Sequence, residues 1–313
     1  MPAMNPLLPV LAASLLLLRP AAAAADPPQV EKREHGRTKE VFLRNSKIVF
    51  SGDAKSGKRD GYRIPRPCWY EPDLNAEDMF KKQQGERGYF NRTYRGDRGA
   101  QFGQFIQPFE DKVGKPGRWW VPAYDASDPN GELCAANLEE FLFVPPGTTP
   151  PSGITIKELA DVARAALTVP EPTIKLSPDA KSFVNLPTYV WLEGIGQPRR
   201  SVTATLPGVM SVTVVATLKS ITIDPGTTTD RAEVRQDGCG ATGKPYVKGA
   251  EFTCGVRYMR ASIDQPAEKY VLTVTTVWPV EVTDQAVPIQ YAPVQVDTTR
   301  DVPVGEIQSN VKP

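Results

Sequence analysis

Beyond Pro170 the chain alternates apolar and polar residues with a period of two, and that pattern constrains its fold more than any other feature. Val212, Val214, Ala216 and Leu218 interleave with Thr213, Val215, Thr217 and Lys219, and Leu272, Val274, Thr276 and Trp278 interleave with Thr273, Thr275 and Val277. Successive side chains of a strand point to opposite faces, so this alternation predicts antiparallel strands with one face turned to a core. Further strands are expected at 183–192, 201–206, 221–223, 252–258 and 302–307, separated by Gly/Pro turns. Several short strands of this kind predict a mainly β domain over 171–313, an antiparallel sandwich.

One helix is expected ahead of it. Thr155 and Glu158 have the spacing of a capping box, Leu159, Val162, Ala163 and Ala166 fall on one face, and Pro170 cannot continue the helix. Residues 153–170 therefore read as one short packing helix. Residues 64–152 read as an irregular, β-rich region, with order beginning at Trp119-Trp120-Val121, a turn at Pro129-Asn130-Gly131 and a strand at Phe141–Val144. Within it, residues 77–114 carry rings at Tyr89, Phe90, Tyr94, Phe102, Phe105 and Phe109 without a sustained period, and are read as partly mobile. Residues 26–63 carry Lys32-Arg33, Arg37, Lys39, Lys55 and Lys58-Arg59 with almost no apolar periodicity, the pattern of a flexible charged arm.

At the start of the chain an apolar run from Leu7 to Leu18 passes through Arg19-Pro20 into Ala21–Ala25. A spanning helix needs roughly 20 unbroken apolar residues, and small residues after a shorter run satisfy a cleavage rule, so residues 1–25 read as a cleaved signal peptide. An uncleaved N-terminal anchor is the alternative. Export places the four cysteines in an oxidising compartment and makes two disulfides the default. Four cysteines allow three pairings. The short separation of Cys239 from Cys254 favours that pair, leaving Cys68 to join Cys134; a zinc site has neither a C-x-x-C pair nor a nearby histidine in its favour.

The net charge of +1 hides an asymmetry, with about seven more basic than acidic side chains between residues 31 and 120 and about six more acidic than basic from 121 onward. The basic residues are interspersed with Asp and Glu, and export separates the chain from nucleic acid, so nucleic acid is not an expected partner. Two segments, Gly52 to Lys58 and Gly238 to Lys244, have the G-x-x-x-x-G-K spacing of a phosphate loop, but Arg59 and Pro245 stand where Ser or Thr should hold Mg²⁺ and no helical pattern follows. No nucleotide or other cofactor is expected.

Histidine chemistry is nearly excluded, because His35 is the one histidine and lies in the charged arm. Ser309 and Lys312 form a Ser-x-x-Lys arrangement at the C-terminus, a poor place to preorganise a nucleophile. Carboxylates remain, either Asp125 and Asp128 beside Glu132 or Glu71, Asp73, Glu77 and Asp78 near Trp69 and Tyr70. Two such groups could serve as acid and base on a glycan, and the first cluster could hold calcium. The plainer reading is a solvated loop, with Trp69, Trp119, Trp120 and Trp191 as core and strand residues. Asn91-Arg92-Thr93 matches a glycosylation sequon and is read as accidental.

The series Pro67-Cys68-x-Tyr70-x-Pro72, Gly117-x-Trp119-Trp120, Cys134, Phe143–Gly147, Asn185–Leu192, Cys239 with Gly243-x-Pro245-Tyr246, Cys254-x-x-x-Tyr258 and Glu306-Ile307-Gln308 resembles uncharacterised secreted proteins of actinobacteria. Its strand-rich part is similar to an Ig-like module of the polycystic-kidney-disease (PKD) type. The resemblance implies an exported location and a sandwich fold, and carries no catalytic or metal-binding residue. The expected function is that of a secreted, non-enzymatic interaction protein, its partner an anionic cell-wall polymer or another envelope protein, with no membrane span once the signal is removed. The alternative is a secreted carboxylate-dependent hydrolase acting on cell-wall glycan.

Overall fold

The structure, a computed structural model, describes residues 43–54, 57–93, 98–283 and 288–307. The expected signal peptide, the part of the expected arm before Leu43 with His35, and the Ser309–Lys312 pair lie outside the described residues. The protein is mainly β, with several antiparallel sheets, an arrangement consistent with a β-sandwich.

In chain order the first elements are β1 (Leu43–Arg44), β2 (Val49–Gly52) and β3 (Cys68–Asn75). They correct the reading of 26–63 as a flexible arm, at least from residue 43 on. Leu43 and Arg44 pair with Asp125 and Tyr124 of the later strand β4 (Arg118–Asp125), while Val49 to Gly52 pair with Thr205 to Val202 of β9 (Arg199–Leu206). Ile48 is buried, and the basic residues find carboxylates: Lys47 reaches Asp73 and Lys58 reaches Glu171. Hydrophobic periodicity misses such a segment because backbone ladder bonds, one buried isoleucine and ion pairs hold it, none of which gives a repeating apolar pattern.

Residues 77–114 also depart from expectation. Three helices occupy the stretch, α1 (Ala76–Gln84), α2 (Arg87–Thr93) and α3 (Arg98–Glu110). Asn75 caps α1 by accepting the amide of Asp78 at 2.8 Å. The helices bury Met79, Phe90, Phe102, Ile106 and Phe109 against Trp119 of β4, forming an aromatic core separate from the main one. Phe109 lies 4.7 Å from Trp119 and 5.1 Å from Phe141, ring to ring. Each helix is short and carries Gly or Gln among its rings, so no window is long enough to show the 3.6-residue period plainly.

After β4 come α4 (Gly131–Ala136), β5 (Leu142–Val144) and α5 (Ile156–Ala166). The capping box of α5 is present as expected, with Thr155 accepting the Glu158 amide and Glu158 accepting the Thr155 amide. The helix departs from expectation in depth: every residue from Leu159 to Ala166 is buried, including Asp161 and Arg164 on the side opposite the apolar face.

The remaining strands are β6 (Thr173–Ser177), β7 (Ser182–Phe183), β8 (Pro187–Glu193), β9, β10 (Met210–Thr217), β11 (Ser220–Asp224), β12 (Ala232–Arg235), β13 (Gly255–Tyr258), β14 (Tyr270–Trp278), β15 (Val280–Thr283), β16 (Val294–Val302) and β17 (Val304–Gly305). They form the orders β15-β10-β9-β2, β11-β14-β16 and β12-β13-β8-β6, with β17 beside β7 in parallel. The alternation read from the sequence is realised in β14, where Tyr270, Leu272, Val274, Thr276 and Trp278 are buried and their neighbours turn outward. The same core takes in Val202, Ala204, Val212, Val214 and the α5 residues Leu159 and Val162.

Candidate functional site

Both expected disulfides are formed, and no cysteine among the described residues is free. Cys68, at the start of β3, joins Cys134 of α4 with Cα atoms 5.7 Å apart, and Cys239 joins Cys254, just before β13, across 4.8 Å. Two such bonds fit an oxidising compartment. No helix among the described residues is long and apolar enough to cross a membrane.

The carboxylates singled out as candidate catalysts are engaged one by one in holding the fold, apart from Glu132, which is exposed in the first turn of α4. Glu71 is fully buried; its Oε1 accepts from Ser46 Oγ at 2.7 Å and from Trp69 Nε1 at 2.9 Å, and its Oε2 accepts the Lys47 amide at 2.7 Å. Burial pushes its carboxyl up from the ordinary 4.5, while these donors oppose the shift. Asp73 pairs with Lys47 and Lys82, Asp78 accepts from the Asn75 side chain, and Glu77 takes the amide of Gly114, which holds its carboxyl below the usual range. Asp125 accepts both the amide and the hydroxyl of Ser127, and Asp128 accepts the amide of Asn130, so the loop around Pro129 is built from short side-chain-to-backbone turns. No group of three or more His, Cys, Asp or Glu among the described residues is placed to hold a metal ion.

The phosphate-loop spacings are likewise used for folding. At Gly52 a Cβ would lie 2.3 Å from the Ser201 carbonyl oxygen, and Asp53 accepts the Ser201 amide at 2.8 Å, so the first segment closes the β2–β9 ladder. In the second, Cys239 is in a disulfide and Gly243 has φ +79°, its missing Cβ leaving room for the Val190 carbonyl at 2.4 Å. Lys244 then donates its amide to that carbonyl at 3.0 Å. Among the described residues neither segment opens a helix. Of the four tryptophans near the candidate acids or on the expected strands, Trp69, Trp119 and Trp120 are buried and Trp191 is partly exposed on β8, while the fifth, Trp278, is buried in the main core.

A different place in the fold has the character of a site. Asp161 of α5 lines a cleft of about 490 Å³ together with Tyr62, Ile156, Lys157, Ile289 and Tyr291, and Arg164 follows it on the helix, one turn on. Asp161 Oδ1 accepts the hydroxyls of Tyr62 at 3.0 Å and Tyr291 at 2.8 Å, and its Oδ2 accepts from Lys157 Nζ at 2.9 Å. The two tyrosine rings meet edge to face, their centroids 5.7 Å apart. Arg164 forms two parallel bonds with Asp60, at 3.1 and 2.5 Å, and its guanidinium carbon lies 4.9 Å from the centre of the Tyr62 ring. Burial, followed by the neighbouring Asp161 carboxylate, pushes both tyrosine hydroxyls well above their ordinary value of 10, so both remain protonated donors.

Sequence reasoning missed this network. Its members come from three distant segments, and the one local signal was a pair of charged residues, Asp161 and Arg164, inside an otherwise apolar helix. Among the described residues the cleft is lined by one carboxylate, already accepting from three donors, against the two that glycoside hydrolysis requires. No family model, curated protein or solved structure matches the chain.

Proposed function

We propose that the chain is an exported, non-enzymatic interaction protein of the cell envelope, similar to secreted actinobacterial proteins, its sandwich an Ig-like module of the PKD type. The observation that carries the proposal is the state of the acids: Glu71, Asp125 and Asp161 are buried and held by donors from neighbouring residues. Carboxylate-dependent hydrolysis of a glycan needs a pair of acids with separated roles facing the substrate. The two disulfides support an extracellular life; the interaction surface is provided by loops and strand edges, where an added strand or ligand meets unpaired backbone, and the basic residues ahead of Leu43 add screened contacts with an anionic wall polymer.

The test is recovery of the full chain from culture supernatant and washed envelope, with its bound species identified and purified wall glycan assayed for new reducing ends. A co-purifying envelope polymer or protein without glycan cleavage is the expected result. Release of reducing ends by the purified protein overturns the proposal in favour of a hydrolase.

A further inference from the structure

The cleft over Asp161 has a hydrogen-bonding character fixed by its own geometry. An ionised carboxylate only accepts, and each tyrosine hydroxyl has one proton to give. With both protons committed to Asp161 Oδ1, the phenolic oxygens of Tyr62 and Tyr291 retain acceptor capacity only. Lys157 commits one of its three donors to Asp161 Oδ2, and with its side chain 62% exposed the others remain available. Around these polar points stand the two tyrosine rings, Ile156 and Ile289, with Gln290, whose amide can both donate and accept, and Thr155, whose hydroxyl is engaged with Glu158, also on the lining. The volume of about 490 Å³ falls in the range of small-molecule sites.

A ligand that fits must bring donors to two neighbouring phenolic oxygens, an acceptor to an ammonium, and an apolar face to aromatic and aliphatic carbon. A simple anion would satisfy Lys157 and be opposed by the tyrosine oxygens. A free amine would satisfy those oxygens and be opposed by Lys157. A proline-rich peptide would cover the rings but brings no backbone N–H at its prolines. A sugar ring does all three things, because adjacent hydroxyls both donate and accept while its C–H face is apolar.

We infer that the cleft bordered by Tyr62, Lys157 and Tyr291 is a saccharide-binding subsite. The inference deepens the interaction reading by naming a ligand class, and rests on it for the source, a glycan of the envelope.

The experiment titrates the purified full chain with chitotetraose, maltotetraose and a trigalacturonate, with decaproline as the competing ligand class, followed by saturation-transfer NMR and calorimetry. Tyr291→Phe keeps the ring and removes the phenolic oxygen; Lys157→Ala changes an exposed side chain; Tyr246→Phe alters an exposed tyrosine outside the cleft lining. At least one oligosaccharide is expected to bind, with Tyr291→Phe and Lys157→Ala each weakening it about fivefold, the effect of one hydrogen bond, and Tyr246→Phe leaving it unchanged. Absence of binding by all three oligosaccharides at about 10 mM, binding indifferent to both cleft variants, or binding of decaproline alone overturns the inference. Envelope retention of the wild type separates the two proposals: retention without oligosaccharide binding ends the cleft assignment and leaves the interaction reading, whereas binding without retention does the reverse.

Discussion

Tyr291 donates its hydroxyl to Asp161 at 2.8 Å across 130 residues of sequence. With Tyr62 donating to the same oxygen at 3.0 Å, one helical carboxylate ties the segment before β3 and the segment before β16 to α5. Asp161 is therefore both a stabilising knot and the floor of the cleft. Replacing it by alanine strands two tyrosine hydroxyls in a partly buried place, while Lys157 turns to water. The expected cost is about 1–3 kcal/mol, with Tyr291→Phe nearer 1 because it removes a single bond. Urea unfolding of the two variants checks the order; equal stability of wild type and Asp161→Ala would show that the knot does not bear on folding.

Glu71 makes a prediction about pH. Its folded carboxyl is raised above 4.5, mainly by burial, so the folded state holds the proton more firmly than the unfolded chain. Its contribution to stability is fully present below about 4.5 and is lost as pH rises through the folded value. Subtracting the stability of Glu71→Gln from that of the wild type isolates this group from exposed acids such as Asp264, whose pairing with Arg231 pulls the other way. The difference should fall as pH increases from 4.5. A difference that grows would place the folded carboxyl below its ordinary value.

The Cys239–Cys254 bond closes a separation of 15 residues beside β13 and β8. Losing Cys254 should cost on the order of 2–5 kcal/mol, a large part of the stability of an ordinary domain. Thermal melting of Cys239→Ser/Cys254→Ser measures it, and non-reducing peptide mapping of the wild type should return this pair together with Cys68–Cys134. Crossed pairs would contradict the fold.

Gly243 separates the folding role of its segment from phosphate binding. Alanine at φ +79°, with its Cβ 2.4 Å from the Val190 oxygen, must displace backbone, and a loss of about 1–3 kcal/mol is expected. An unchanged melting curve would show that the contact is dispensable.

How much of this was legible in the sequence depended on the kind of force involved. Burial on one face of a strand or helix leaves a period, and so β10, β14 and the capped α5 could be read directly. The three helices between 76 and 110 left a weaker trace. Phe102, Phe105, Ile106 and Phe109 have helical spacing, but one short face was hidden among glycine and glutamine. β1 and β2 left none, because edge pairing is made by backbone atoms that every residue carries. The disulfides followed from spacing and compartment. The Asp161 cleft did not, since a contact between residues 62, 161 and 291 has no local pattern, and of the acids that did cluster in sequence Asp125 and Asp128 turned out to shape a loop.

The pairing of β2 with β9 also decides how envelope attachment must be tested. A deletion reaching Arg59 would remove a strand of the sheet, so the charged segment is tested by deleting residues 29–40 alone. The most direct measurement is the fraction of protein retained on washed envelope, for wild type and this deletion, across a salt series, with reducing-end release followed in the same samples. The account predicts retention of the wild type, partial loss in the deletion variant that added salt reproduces, since exposed charges are screened within about 8 Å at physiological ionic strength, and no cleavage of glycan. Wild-type protein that washes off completely, or that releases reducing ends, would contradict it.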